Sequence, residues 1–121
     1  MKSLAEKLGE DAVLWSLVGV LHDVDYDYAE RDMKRHGLDA LDMLKGLLPE
    51  AALQAIAGHN EHNGFVVSDE HAKKILYALR ASDHASGLMV ATTLVMPSKK
   101  LGEVKLESLL KNLSLRTLRE V

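Results

Sequence analysis

The 121-residue chain contains no cysteine, only two prolines, and few aromatic residues, namely one Trp, three Tyr and one Phe. Without cysteine, neither a disulfide framework nor a thiolate metal site can form. This absence fits a reducing compartment. Because aromatic side chains are scarce, the core has to be packed mainly by Leu, Val, Ile, Ala and Met.

The chain also lacks a long uninterrupted apolar run. Its longest apolar stretches, around Val13–Leu21 and Leu88–Met96, are broken by Ser, Gly or Thr, whereas a membrane span needs about 18 apolar residues. The N-terminal sequence MKSLAEKLGE does not have the basic-then-apolar order of a signal peptide. A net charge of −3 provides no general attraction for nucleic acid. We therefore expect a cytoplasmic protein that binds neither a membrane nor a nucleic acid polymer.

What the sequence does contain is helical periodicity in nearly every segment, and no run alternates with a period of two for long enough to predict a sheet. An apolar fraction of 47% and a charged fraction of 27% are typical of an ordinary globular domain. The prediction is a single all-α domain over residues 1–121, a compact bundle of about six helices. The predicted helices span about Ser3–Leu8, Asp11–Asp23, Arg35–Leu48, Pro49–Asn60 and Ser68–Met96, with one or two short helices between Glu103 and Val121.

Five polar side chains occur where helical spacing predicts buried apolar residues: His22, Asp23, His36, His59 and Asp83. Taken alone, a histidine at such a position is usually a hydrogen-bonded core residue, and Asp23 alone is usually a helix-end or turn residue. A buried carboxylate such as the one expected at Asp83 needs a cation or hydrogen-bond donors. Together, on four successive helices, the five predict a divalent-metal site. Imidazole and carboxylate ligands are compatible with Mn, Mg, Fe, Ni or Zn and do not select among them.

Three cations are placed in the sequence to flank such a site and to bind a small phosphorylated substrate: Lys34, Arg35 and Arg80. Ordinary surface charge is the alternative explanation for each of them. The chain contains no glycine-rich phosphate loop, no Ser-His-Asp order and no dinucleotide fingerprint.

The segment Val20–Tyr26, read Val-Leu-His-Asp-Val-Asp-Tyr, resembles the motif of the HD superfamily of metal-dependent phosphohydrolases. Further matches point to one branch of it, the small predicted HD-type hydrolases, and the resemblance covers about Leu4 to Leu113. These matches are His36-Gly37, Ala57-Gly58-His59-Asn60, Ala81-Ser82-Asp83 and the segment Val95–Leu101.

The resemblance implies a metal site with His22, Asp23 and Asp83 as the main ligands and His36 and His59 as an additional pair. It implies hydrolysis of a nucleotide or another phosphate ester, with Asp23 or Asp83 as the catalytic carboxylate that takes the proton of water. Two alternatives stay open. One is a degenerate HD domain that binds metal or nucleotide without turnover, and the other is a structural module in which the histidines hydrogen-bond Asp83.

The family's first metal-binding histidine lies on a helix that precedes the His-Asp helix, and nothing in Met1–Asp11 matches it. The resemblance therefore implies that the chain begins after this helix. An apolar surface left uncovered in this way predicts a homo-oligomer, in which a partner subunit covers it.

Overall fold

A computed structural model describes the backbone of residues 1–119 and the side chains of residues 1–114. Within this part the chain forms six α-helices, one short 3-10 helix and no strand, which confirms the predicted all-α class of about six helices. The predicted helical region Glu103–Val121 ends outside the described residues. The α-helices are α1 Lys2–Leu8, α2 Ala12–Leu21, α3 Leu38–Leu44, α4 Glu50–Gly58, α5 Glu70–Val95 and α6 Leu106–Arg119, and the 3-10 helix is Leu101–Glu103.

The chain divides into two compact units, with the boundary inside α5 between Arg80 and Ala81. The first unit contains α1 to α4 and the beginning of α5, and the second contains the rest of α5 and α6. A single domain over residues 1–121 stays a prediction. None of the described helices combines the length and the apolar character that crossing a membrane requires.

Local signals determine where the first two helices begin and end. Helix α1 stops at Gly9, which takes the left-handed conformation with φ 70° that glycine adopts readily. Asp11 then caps α2, because its Oδ1 accepts a hydrogen bond of 2.9 Å from the backbone N–H of Leu14. Helix α2 ends at Leu21, two residues before the predicted end, and His22 occupies the C-cap position. The His-Asp pair therefore follows the helix instead of completing it.

Helix α3 is shorter at both ends than the predicted span of Arg35–Leu48. Gly37 precedes it with φ 92°, and Gly46 follows it with φ 82°. Backbone of this kind cannot continue a right-handed helix. Apolar periodicity alone does not reveal a positive φ, so the predicted helix includes both glycines.

The core of the first unit lies where α2, α3, α4 and the beginning of α5 meet. Trp15 and Val18 of α2 and Ile56 of α4 are completely buried. Six of the nine positions of α4 are buried, four of them alanine or glycine, which lets neighbouring helices approach closely. The two helices that precede His22 and His59 are thus both anchored in this core.

In the second unit, a polar contact joins α5 to α6. The amide Nδ2 of Asn112 donates a hydrogen bond of 3.0 Å to Oγ1 of Thr92, which is 2% exposed. A buried hydroxyl needs such a partner, so the pair fixes how these two helices face each other.

Candidate metal centre

Three histidines and one aspartate meet in the first unit, at the ends of two helices and in one turn. His22 and His59 are the C-cap residues of α2 and α4. Asp23 follows His22, and His36 lies in the turn before α3. Because α4 packs against both α2 and α3, these sequence positions, which are distant from one another, come together at one place.

The carboxylate of Asp23 lies between the three imidazoles. Its Oδ2 is 3.3 Å from Nε2 of His22, and its Oδ1 is 3.2 Å from Nε2 of His36 and 3.4 Å from Nε2 of His59. His22, Asp23 and His59 each offer one ligand atom, and these atoms all lie within 4.8 Å of one another. Such spacing allows a single cation to contact all three.

Hydrogen bonds on the far side of two of the rings set their tautomers. Nδ1 of His22 lies 2.7 Å from the carbonyl oxygen of Gly19, and Nδ1 of His59 lies 2.5 Å from that of Ile56. A carbonyl oxygen only accepts, so in both rings Nδ1 carries the proton and donates it. In the neutral rings, each Nε2 then carries a lone pair and no proton, as a metal-binding imidazole requires.

The Nε2 atoms of His36 and His59 lie only 3.1 Å apart. Two lone pairs at this distance repel each other unless a proton or a cation lies between or beside them. Nitrogen and oxygen donors without thiolate match Zn, Fe, Ni or Mn chemistry. The donor set therefore fits a divalent metal ion.

Burial lowers the pKa of the His59 imidazole below its usual range, and the neighbouring His22 and His36 lower it further. The hydrogen bond to Ile56 and the charge of Asp23 act in the opposite direction but are smaller in total effect. The neutral ring, which is the form that binds a metal, is thus the favoured form of His59.

The centre opens to solvent on the side of Asp23. The side chain of Asp23 is 55% exposed, whereas those of His36, His59 and His22 are 6%, 11% and 15% exposed. Nearly buried imidazoles behind an accessible carboxylate leave one open side for a water molecule or a ligand.

Two asparagines that sequence reasoning missed hold His36 in place. Nδ2 of Asn60 donates to the carbonyl oxygens of Met33 and His36, at 2.6 and 3.0 Å. Nδ2 of Asn63 donates to those of His36 and Ala57, at 2.9 and 2.7 Å. The sequence predicts only a turn at Asn63-Gly64, because asparagine is common in turns, where its side chain bonds the backbone nearby. The two amides tie the turn before α3 to the end of α4.

Asp25 was also missed as a candidate, since the sequence places it in an acidic stretch with Asp27, Glu30 and Asp32. Its side chain is completely buried, and its Oδ1 lies 2.7 Å from Nδ1 of His36. Nothing in the sequence distinguishes Asp25 from its acidic neighbours, because its burial results from long-range packing.

Asp83, predicted as a metal ligand and catalytic residue, lies on α5 in the second unit. Its side chain is exposed, not buried as the helical spacing predicts, because α5 is exposed at nearly every position from Ala81 to Gly87. Ligation by Asp83 stays a prediction, whereas His22, Asp23, His36 and His59 are brought together within the first unit.

Two of the three predicted substrate-binding cations already have partners. Nη2 of Arg35 lies 2.8 Å from Oδ2 of Asp39. Nη2 of Arg80 donates to the carbonyl oxygen of Gly58 at 2.9 Å, next to His59, and Nη1 lies 3.4 Å from the carboxylate of Glu61. Lys34 is exposed. Arg80 thus fastens α5 to the end of α4, and substrate binding by all three stays a prediction.

A scan against protein-family models and searches of curated proteins and solved structures found no match to this chain. The functional proposal is therefore carried by the residues of the metal centre themselves.

Proposed function

We propose that the protein is a metal-dependent phosphohydrolase of the HD type, acting on a nucleotide or another small phosphate ester. One observation carries the proposal, namely that the Nε2 atoms of His22, His36 and His59 all lie within 3.4 Å of the carboxylate of Asp23. Three imidazoles and a carboxylate, with hydrogen bonds to carbonyl oxygens behind two of the rings, have the ligand types and the outer hydrogen bonds of a metal-binding site.

His22, Asp23 and His59 would hold the metal ion, with His36 as a further ligand. Three imidazoles favour Zn, Fe or Ni over Mg, which prefers oxygen ligands. Asp83 is proposed as an additional ligand and catalytic carboxylate on the strength of the family resemblance.

A divalent ion in this centre supplies Lewis-acid polarisation of a phosphoryl oxygen and acidifies water. Asp23 is the exposed carboxylate of the centre, so it is placed to accept a proton from an attacking water molecule. The nearly buried rings of His36 and His59 exclude solvent from the other side. A small phosphorylated substrate then approaches from the exposed side of Asp23. Of the three predicted substrate-binding cations, Lys34 is the one without an ion-pair partner among the described residues.

A metal-binding domain without turnover is the second candidate. Asp23 is the one carboxylate in the group of ligand atoms found among the described residues, whereas the resemblance implies two. A centre with a single carboxylate supports binding of a metal without requiring hydrolysis.

Metal analysis of the purified protein, followed by a screen of phosphate esters with added Mn²⁺, separates these possibilities. We expect stoichiometric metal and hydrolysis of at least one ester, and loss of both in His59→Gln. The matched control is His71→Gln, because His71 is exposed and belongs to α5. Metal without hydrolysis would support the binding domain, and a metal-free protein that takes up none from solution would rule out both.

The outer face of α2 supports the proposal of a homo-oligomer. Val13, Leu17 and Val20 are 73%, 43% and 79% exposed, and they line a groove of about 290 Å³ beside α1. Helix α2 contains no charged residue, and Lys2 of α1 is the one charged residue that lines the groove, so the apolar part of this face can pack against an identical copy. Sedimentation analysis should find a dimer that Leu17→Lys dissociates, and a monomeric wild-type protein would contradict the proposal.

A further inference from the structure

Asp25 is a carboxylate with no exposed surface, and no Lys or Arg of the described residues forms an ion pair with it. Its charge is balanced by three hydrogen bonds. Oδ1 accepts from Nδ1 of His36 at 2.7 Å, and Oδ2 accepts from the backbone N–H groups of Gly37 and Ala40 at 2.7 and 2.9 Å. A buried carboxylate is tolerated only when donors satisfy it in this way.

We propose that Asp25 is a positioning residue of the metal centre, which keeps the proton of His36 on Nδ1 and directs the Nε2 lone pair towards the metal. This inference rests on the proposed function. An ionised carboxylate only accepts hydrogen bonds, so the 2.7 Å contact requires the proton to lie on Nδ1 of His36. The opposite nitrogen, Nε2, then faces Asp23 at 3.2 Å and His59 at 3.1 Å.

A simple helix cap would not need both oxygens of Asp25. The N-cap position of α3 is Gly37, which has no capping side chain of its own, and Oδ2 of Asp25 takes over that function from 12 positions upstream. Oδ1 is not used for capping and is bonded to the imidazole of His36. One carboxylate therefore fixes both the backbone that follows His36 and the orientation of its ring.

The backbone of His36 is held from the opposite side as well. Its carbonyl oxygen accepts from Nδ2 of Asn60 at 3.0 Å and from Nδ2 of Asn63 at 2.9 Å. A core histidine needs a partner for each nitrogen but no such restraint of its main chain. These contacts leave the Nε2 atom little freedom to move away from Asp23.

The substitution Asp25→Asn separates positioning from capping. Its amide oxygen can still accept from the N–H groups of Gly37 and Ala40, so the cap is preserved. Its NH₂ group, however, faces Nδ1 of His36 and donates to it, which moves the proton of the neutral ring to Nε2 and blocks the lone pair. Asp27→Asn is the matched control, because Asp27 lies two positions further on and is exposed.

Proton–nitrogen NMR of the imidazoles in the metal-free protein, at a pH above the usual pKa of histidine, reads this proton directly. We expect a protonated Nδ1 on His36 in the wild type and in Asp27→Asn, and a proton on Nε2 alone in Asp25→Asn. A wild-type His36 with its proton only on Nε2 would overturn the inference, even if the Asp25→Asn chain failed to fold.

Titration of the metal-free proteins with Zn²⁺ measures the consequence for the centre. Loss of an outer hydrogen-bond partner of a metal-binding histidine costs about 10- to 100-fold in metal affinity, so we expect a loss of this size in Asp25→Asn and none in Asp27→Asn. Equal affinity of wild type and Asp25→Asn would overturn the positioning role. A wild type that binds no Zn²⁺ while its NMR shows the expected Nδ1 proton would contradict the proposed function and leave the hydrogen-bond assignment of Asp25 intact.

Discussion

The substitution Gly37→Ala tests whether the turn before α3 is held against the end of α4. Gly37 has φ 92°, and a Cβ atom there would lie 2.8 Å from the carbonyl oxygen of Ala57 and 2.8 Å from Nδ2 of Asn63. With φ 92° and ψ −39°, Gly37 lies outside even the left-handed helical region, and forcing an L residue into such backbone costs roughly 1–3 kcal/mol. Gly46→Ala is the matched control, because Gly46 has φ 82° and nothing within 4 Å of the added atom.

The difference between the two variants reports the contact at Gly37 together with the backbone strain of its unusual φ and ψ. Moving Asn63 away from the new methyl group of Gly37→Ala breaks its hydrogen bonds to His36 and Ala57, each worth about 1 kcal/mol net. We therefore expect Gly37→Ala to lower the free energy of unfolding by at least about 2 kcal/mol more than Gly46→Ala does. Chemical unfolding followed by far-UV circular dichroism measures both values. The unfolded-state effect of replacing glycine by alanine is common to both and cancels.

The same pair of variants also links the turn to the metal centre. Displacing Ala57 or Asn63 shifts His36, so Gly37→Ala should bind Zn²⁺ more weakly than the wild type, and Gly46→Ala should not. Equal destabilisation by the two substitutions, within about 0.5 kcal/mol, together with equal metal affinity, would refute the packing that we describe around Gly37.

Three further outcomes are expected. Burial lowers the pKa of His59 below 6.5, so the unfolded chain binds a proton more readily than the folded protein does. The contribution of His59 to the free energy of unfolding of the metal-free protein should therefore be fully present above about pH 6.5 and be lost as the pH falls below it. Thermal melts should show a smaller fall in His59→Gln. Asp11→Ala removes the N-cap of α2, the hydrogen bond to the N–H of Leu14, and should lower the free energy of unfolding by about 1 kcal/mol in chemical denaturation. An unchanged free energy of unfolding would contradict the cap. Ile56→Ala empties a completely buried position and should cost about 2–5 kcal/mol, whereas Val66→Ala, at a side chain that is 82% exposed, should cost little in the same assay.

Local chemistry made much of the fold predictable. Gly9 at a helix end, Asp11 as an N-cap and Pro49 next to the start of α4 each act through their own backbone neighbours. Helix α5 begins at Glu70, two residues after the predicted start at Ser68. The reason is that the side chain of Asp69, and not that of Ser68, accepts the hydrogen bond from the N–H of Ala72. Short polar residues compete for such positions on nearly equal terms.

The site was predictable where residue type alone carries the information. Histidines at apolar positions identified His22, His36 and His59, which do lie together. Their supporting contacts were not predictable, since Asp25 bonds His36 across 11 positions and Asn60 bonds it across 24. Such contacts depend on how the helices pack, and helical periodicity does not contain that information.

The end of α2 at Leu21 has a consequence for how a metal ion would affect stability. Because His22 and Asp23 are consecutive and both follow the helix, a cation held by these two closes a ring within one dipeptide and restrains little of the chain. His36 and His59 are 23 positions apart and reach the ion only in the folded protein. The unfolded chain thus keeps a weak chelating dipeptide, and metal binding to it reduces the stabilisation that affinity for the folded state would give.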